Sequence, residues 1–216
     1  GFSIYIHIPF CRRACHYCDF HFSTTLKRKG EMVNALCKEL ILRKDEAINS
    51  ELQTVYLGGG TPSILSYDEL QQLFHTIFTY YKVSPSAEIT LEANPDDFFR
   101  DSSPQQMLEQ LRSLGINRLS LGVQSFFEED LQLMNRVHSV AQVETLLQIT
   151  PQYFDNITID LIYGIPRMSK ERWQENINKA LSFDIPHISA YALTVEEKTA
   201  LHKFIATGKI PPINDE

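Results

Sequence analysis

Six short segments rich in β-branched and aromatic residues recur along the chain: SIYIHI (3–8), TVYLG (54–58), EITLEA (88–93), RLSLGV (118–123), ITIDLIYG (157–164) and ISAYAL (188–193). Each reads as a strand, and between them the apolar period changes to that of a helix. Residues 31–46 put Val33, Leu36, Cys37, Leu40 and Ile41 on one face; residues 67–81 do the same with Leu70, Leu73, Phe74, Ile77 and Phe78. Ser66 or Asp68 suits the N-cap of the second helix. Further helices are expected over 103–114, 127–136, 140–150, 169–182 and 195–206, with Gly115 as the C′ residue of the first. Regular alternation of strand and helix confines the chain to parallel strands joined by right-handed crossovers. The class is α/β, and either a doubly wound open sheet or a partial (β/α) barrel satisfies the pattern. The strands read as nearly continuous apolar runs, as expected when both faces are covered. No Pro/Ser-rich linker divides the 216 residues, so a single domain, 1–216, is expected.

In both architectures chemistry gathers at the carboxyl ends of the strands, and the unusual residues fall there. IPFCRRACHYCDF (8–20), with Cys11, Cys15 and Cys18, follows the first strand, and GGGTPS follows the second. Glu92 closes the third, Gln124 follows the fourth, and Asp160 lies late in the fifth. Composition narrows the function classes. A net charge of −7, with acids and bases interspersed, argues against a nucleic-acid surface. No apolar run approaches the ~20 residues of a membrane span, and GFSIYIHIPF lacks the features of a signal peptide. Four cysteines, three of them bunched, do not make a secreted disulfide framework, so the cytoplasm is the expected compartment. The loop-like tail GKIPPINDE suggests a fragment of a longer protein.

Three thiols spaced C-x3-C-x2-C place soft ligands on one short loop, suited to zinc or an iron–sulfur cluster. Structural zinc needs a closed set of four, for which His16 or His21 is available. A redox pair of Cys15 and Cys18 leaves Cys11 without a role. A [4Fe–4S] cluster held by three thiolates leaves one iron open for a substrate or cofactor. Cys37 lies on the apolar face of its helix and reads as a packed core thiol. His7, His16, His21 and His138 are expected to pack or lie at the surface.

YIHIPFCRRACHYCDF resembles the radical S-adenosylmethionine superfamily and, within it, the oxygen-independent coproporphyrinogen III oxidase-like family. YLGGGTPSIL, LEANPD, GINRLSLGVQSF, LMNRVHS, NITIDLIYGIP and HISAYALTVEE agree in order, so the likeness spans about residues 3–197. The oxidases carry a further cysteine two residues after the third; here that position is Phe20. This departure resembles the haem-chaperone branch, which implies haem binding and delivery to an acceptor protein, with haem ligands in a carboxyl-terminal part. Coproporphyrinogen III oxidation, on a porphyrinogen substrate, is the alternative, and a non-catalytic zinc domain is a third reading.

The resemblance implies a partial (β/α)6 barrel with a curved parallel sheet and the cluster loop at its top. It implies a [4Fe–4S] cluster on Cys11, Cys15 and Cys18, with S-adenosylmethionine chelating the open iron and yielding a 5′-deoxyadenosyl radical on reduction. Gly59, Gly60 and Thr61 would meet the methionyl amine. Glu92 and Asp160, costly in buried strands unless paired, would accept from an ammonium group or ribose hydroxyls; a structural ion pair with Arg118 or Arg136 is the other explanation. Gln124 would bond a ribose hydroxyl and Arg136 would clamp the methionyl carboxylate. Tyr5, Tyr17, which faces adenine or lids the cluster, and Ala192, against which the cofactor lies, complete the implied set.

Overall fold

A computed structural model describes residues 1–12, 16, 17, 26–197 and 199–213. Six strands, β1 (Phe2–Ile8), β2 (Leu52–Gly59), β3 (Val83–Ala93), β4 (Arg118–Gln124), β5 (Asn156–Tyr163) and β6 (His187–Ala192), form one sheet. Its spatial order is β1-β2-β3-β4-β5-β6, and every pairing is parallel. Space order therefore follows chain order. A doubly wound sheet reverses direction after its first strands; this one never does. Right-handed crossovers in one unbroken sense put the crossover helices on a single side and curve the sheet, giving an open partial (β/α)6 barrel.

The helices are α1 (Lys29–Leu42), α2 (Tyr67–Tyr80), α3 (Pro104–Ser113), α4 (Glu128–Leu133), α5 (Val140–Ile149), α6 (Lys170–Leu181) and α7 (Ala200–Ala206). Local chemistry sets several of their ends. Ser66 caps α2 in a reciprocal box: its Oγ accepts from Glu69 N at 3.1 Å while Glu69 Oε1 accepts from Ser66 N at 2.9 Å. Gly115 follows α3 at φ +96°, a conformation open to glycine. The segment expected as one helix over 31–46 is α1 followed by a 3-10 turn at Lys44–Ala47. The last helix begins only at Ala200, where Thr199 Oγ1 accepts from His202 N, and not at 195. Strand β3 starts five residues early, at Val83; the β2–β3 register shifts between Leu52 and Thr54, which accommodates Pro85.

The strands are not apolar on both faces. Ile6, Ile8, Val55, Leu57, Ile89, Leu91, Leu119, Leu121, Ile157 and Ile159 point to the helices, where they bury Val33, Leu40, Leu73, Phe74, Leu108, Leu111, Val143 and Leu146. Alternate positions are polar: Tyr56 on β2, Thr90 and Glu92 on β3, Arg118 and Ser120 on β4, Thr158 and Asp160 on β5. Short strands hide this period of two, because apolar residues stand beside each polar one. The polar side is the concave face, and it carries the site. Cys37 is buried on α1, its Sγ 3.8 Å from Gln72 O, as expected of a core thiol.

Candidate cofactor site

The cysteine loop is joined to the turn after β2 by backbone bonds. Gly60 N donates to Ile8 O at 2.7 Å and Thr61 N to Phe10 O at 2.8 Å. The approach is close enough that only glycine fits. A Cβ at Gly60 would lie 2.7 Å from Phe10 O, 2.9 Å from Ile8 O and 3.0 Å from Cys11 Sγ. Gly59, at φ +112°, turns the chain beside the His7 ring. Thr61 Oγ1 donates to Cys11 Sγ at 3.5 Å. Arg12, next in the loop, reaches the buried Asp97 carboxylate at 3.2 Å; that carboxylate also takes Arg100 at 2.8 Å and Ser63 Oγ at 2.6 Å. Cys15 and Cys18 lie outside the described residues.

His16 marks the far side of the loop. Its N donates to Met134 O at 3.1 Å, its Nδ1 lies 2.9 Å from Leu133 O, and its ring meets Phe204 edge-on at 5.0 Å. Its carbonyl accepts from Leu201 N at 2.7 Å, which docks α7 on the loop. The imidazole offered as a zinc ligand thus has Nδ1 engaged with a carbonyl. Tyr17 packs against the smaller apolar cluster that contains Leu131, Met134, Ile162 and Leu201.

On the concave face Glu92 accepts from Tyr56 OH at 2.6 Å and from Gly59 N at 3.2 Å. Burial pushes its carboxyl above the usual range despite these bonds. Asp160 is pushed up to about 6, first by burial and then by the charge of Glu92. Arg118 forms an ion pair with neither acid; it donates to Thr158 Oγ1 at 2.7 Å and to Thr90 Oγ1 at 3.4 Å. Two half-buried acids, both of raised proton affinity and one of them raised further by the charge of the other, are a place for a cation or for hydroxyl donors.

Gln124 ends β4 in the left-handed region, φ 64°, where a non-glycine residue stores strain. It is 8% exposed, and its buried Oε1 has no hydrogen-bond partner among the described residues. A network beneath holds the strained turn. Ser125 Oγ donates to Asp130 Oδ2 at 2.7 Å, Asn176 Oδ1 accepts from Phe126 N at 2.7 Å, and Arg172 Nη1 donates to Asp130 Oδ1 at 2.9 Å. Arg136 comes over the same strand end, Nη2 donating to Asn94 Oδ1 at 2.9 Å and to Gly122 O at 3.2 Å. His138, fully buried, has Nε2 at 2.7 Å from Val123 O. Burial, then the charge of Arg136, lower its pKa to about 3. Its Nδ1 lies 4.0 Å from Asp96 Oδ1, but a neutral ring makes no ion pair there.

The structure therefore brings Cys11, Gly59, Gly60, Thr61 and Glu92 together, sets Asp160 within electrostatic reach of Glu92, and ties Arg136 to the same rim through Asn94 and Gly122. Tyr5 is exposed on the concave face, stacked on Tyr56 at 5.9 Å with its OH 3.2 Å from His7 Nδ1. Ala192 ends β6 beside Tyr163, exposed, and strand alternation puts it on the face opposite Ser189, the partner of Asp160. Tyr56, Asn94, Ser63 and Asp97 were missed as site residues. The signal for Tyr56 was its place two residues before the glycines; Asn94 and Asp97 carried only their position just past β3.

This donor set fits a [4Fe–4S] cluster with S-adenosylmethionine. A thiol rests on a glycine cradle that a Cβ would fill, a buried amide acceptor has no donor among the described residues, and two acids of raised pKa wait for positive or hydroxylic groups. The chain belongs to the Radical SAM superfamily, whose model matches residues 5–180. Within it the chain falls in the HemN-like family, on the HemW branch. It is 38% identical over 99% of its length to the heme chaperone HemW of Bacillus subtilis and 37% identical over 97% to that of Synechocystis. It covers 56% and 52% of those proteins, so it spans about half the length of the curated relatives it matches. The solved structure of coproporphyrinogen III oxidase (HemN) from Escherichia coli superposes with a TM-score of 0.81 at 26% identity, over 96% of this chain and 52% of that one. Membership of the superfamily implies a [4Fe–4S] cluster and S-adenosylmethionine. No helix among the described residues is long and apolar enough to cross a membrane.

Proposed function

We propose that the chain is the cluster- and S-adenosylmethionine-binding core of a cytoplasmic haem chaperone that delivers haem to an acceptor protein. The observation that carries the cofactor reading is the contact of Cys11 with the Gly60–Thr61 turn beside the Glu92–Asp160 pair. Phe20, where the oxidases have a further cysteine, and the names of the curated relatives support the chaperone branch. Cys11, Cys15 and Cys18 would hold the cluster, which when bound supplies the electron for reductive cleavage of a sulfonium C–S bond. The chain's own residues bind and orient. Glu92 and Asp160 accept from ammonium or hydroxyl groups, Gln124 Oε1 accepts a hydrogen bond from a hydroxyl, and Arg136 offers its guanidinium to a carboxylate. Gly59 and Gly60 let the backbone come close, and the protein excludes water from the strand ends. Tyr5 and Tyr17 complete the proposed contacts, and Ala192, whose side chain is on the other face, would take part only through its backbone at the end of β6.

The test is anaerobic reconstitution of the longest native form with iron and sulfide, followed by metal analysis, haem titration and assay of 5′-deoxyadenosine. Stoichiometric haem with no substrate-linked cleavage supports the chaperone. Cleavage coupled to a porphyrinogen, without haem binding, supports the oxidase reading that the HemN superposition favours. A colourless protein with one tightly held zinc overturns both.

A further inference from the structure

The Thr61 hydroxyl belongs to a residue only 4% exposed and sits between two groups of different kinds. Asn94 Nδ2 donates to its oxygen at 3.2 Å, and the hydroxyl itself donates to Cys11 Sγ at 3.5 Å. The direction of this short chain is fixed chemically. Arg136 has donors only, so the Asn94 atom 2.9 Å from Arg136 Nη2 is the carbonyl oxygen. The amide nitrogen therefore faces Thr61. With an N–H directed at its oxygen, Thr61 turns its own hydrogen away from Asn94, toward the sulfur. Asn94 is held in turn at its backbone, where its N donates to Ser63 Oγ at 3.0 Å, and Ser63 Oγ donates to Asp97 Oδ2 at 2.6 Å. Burial keeps water from competing for these bonds, which strengthens them.

We infer that Thr61, oriented by Asn94, is a hydrogen-bond donor to the first cluster thiolate and sets the reduction potential of the cluster; this rests on the cluster reading above. Reduction adds one negative charge to the cluster and its sulfurs. A donor on a thiolate stabilises that charge more than it stabilises the oxidised form, and hydrogen bonds to sulfur are among the determinants of cluster potential. Thr61 acts on the ligand directly. Asn94 is a positioning residue that acts through Thr61.

The experiment is an EPR-monitored redox titration of the full-length protein with its reconstituted cluster, without S-adenosylmethionine. Wild type is compared with Thr61→Val, which keeps the shape and removes the hydroxyl, and with Thr61→Ser, which keeps the donor. Thr61→Val is expected to lower the one-electron reduction equilibrium about tenfold, ~59 mV toward negative potential, while Thr61→Ser stays at the wild-type value. Asn94→Ala is expected to shift the potential in the same direction by less, and to add nothing in the Thr61→Val background. An unchanged potential in Thr61→Val with a full iron complement overturns the inference and leaves the cluster reading intact. Additive shifts in the double variant overturn the orienting role of Asn94. Absence of any [4Fe–4S] signal from the wild type overturns the inference and the cluster reading together.

Discussion

Replacing Gly60 by alanine perturbs one contact on which the site depends, and the structure gives the size of the effect. The added methyl would fall 2.7 Å from Phe10 O and 2.9 Å from Ile8 O, both backbone atoms of the strand end that leads into the cysteine loop. Neither atom can rotate away. The turn and the loop must separate, which strains the bonds from Gly60 N to Ile8 O and from Thr61 N to Phe10 O. Overpacking of this kind costs about 1–3 kcal/mol. In a chain of this size each kcal/mol lowers Tm by roughly 2–4 °C. The same displacement moves Cys11 from Thr61, so the variant should also hold less iron after reconstitution. Gly30 is the control. It lies in the first turn of α1, and a methyl added there would meet nothing within 4 Å, so Gly30→Ala should leave stability unchanged or raise it by about 0.5 kcal/mol. The measurements are thermal melts of the cofactor-free protein and iron per chain after anaerobic reconstitution. If Gly60→Ala melts with Gly30→Ala and binds as much iron, the close packing of turn and loop is wrong as described.

The raised pKa of Asp160 has a consequence for stability. Its carboxyl moves from an ordinary 3.8 to about 6, so the protonated form favours the fold, and that stabilisation, full below pH ~4, is lost as pH rises through 6. Asp160→Asn should therefore stabilise the cofactor-free protein by an amount on the order of 2 kcal/mol at pH 7.5, with the advantage vanishing near pH 4; urea melts across that range decide it. Asp97→Ala leaves Arg12 and Arg100 without their shared carboxylate and should destabilise by about 3 kcal/mol in denaturant titrations. The same variant should speed proteolysis of the cysteine loop, which mass spectrometry locates. Asn176→Ala removes the acceptor for Phe126 N under the strained Gln124 turn and should cost about 2 kcal/mol; a loss below about 0.5 kcal/mol would mean the network does not brace that turn.

The alternation of elements, the Ser66 cap, the Gly115 stop and the core position of Cys37 were legible in the chain, because each depends on neighbours within a few residues. So was the clustering of Cys11, the glycines, Glu92, Gln124 and Asp160 at strand ends, since a parallel α/β arrangement sends every strand end to one side. Helix 195–206 was overread, because its apolar period continues upstream of the Thr199 cap that starts the helix.

The order of strands is a different kind of fact. Local pattern fits a doubly wound sheet and a barrel equally; only long-range packing, with one unbroken direction of winding, selects the curved sheet with a polar inner face. The same holds for the partners of the polar residues. That Glu92 meets Tyr56 and Gly59, that Arg136 fixes the amide of Asn94, and that this amide turns the Thr61 hydroxyl toward Cys11 follows from segments tens of residues apart arriving at one rim. Sequence spacing specifies which chemical groups are present and which element bears them. The hydrogen-bond partner of a buried group is decided by whatever the fold places within about 3 Å of it.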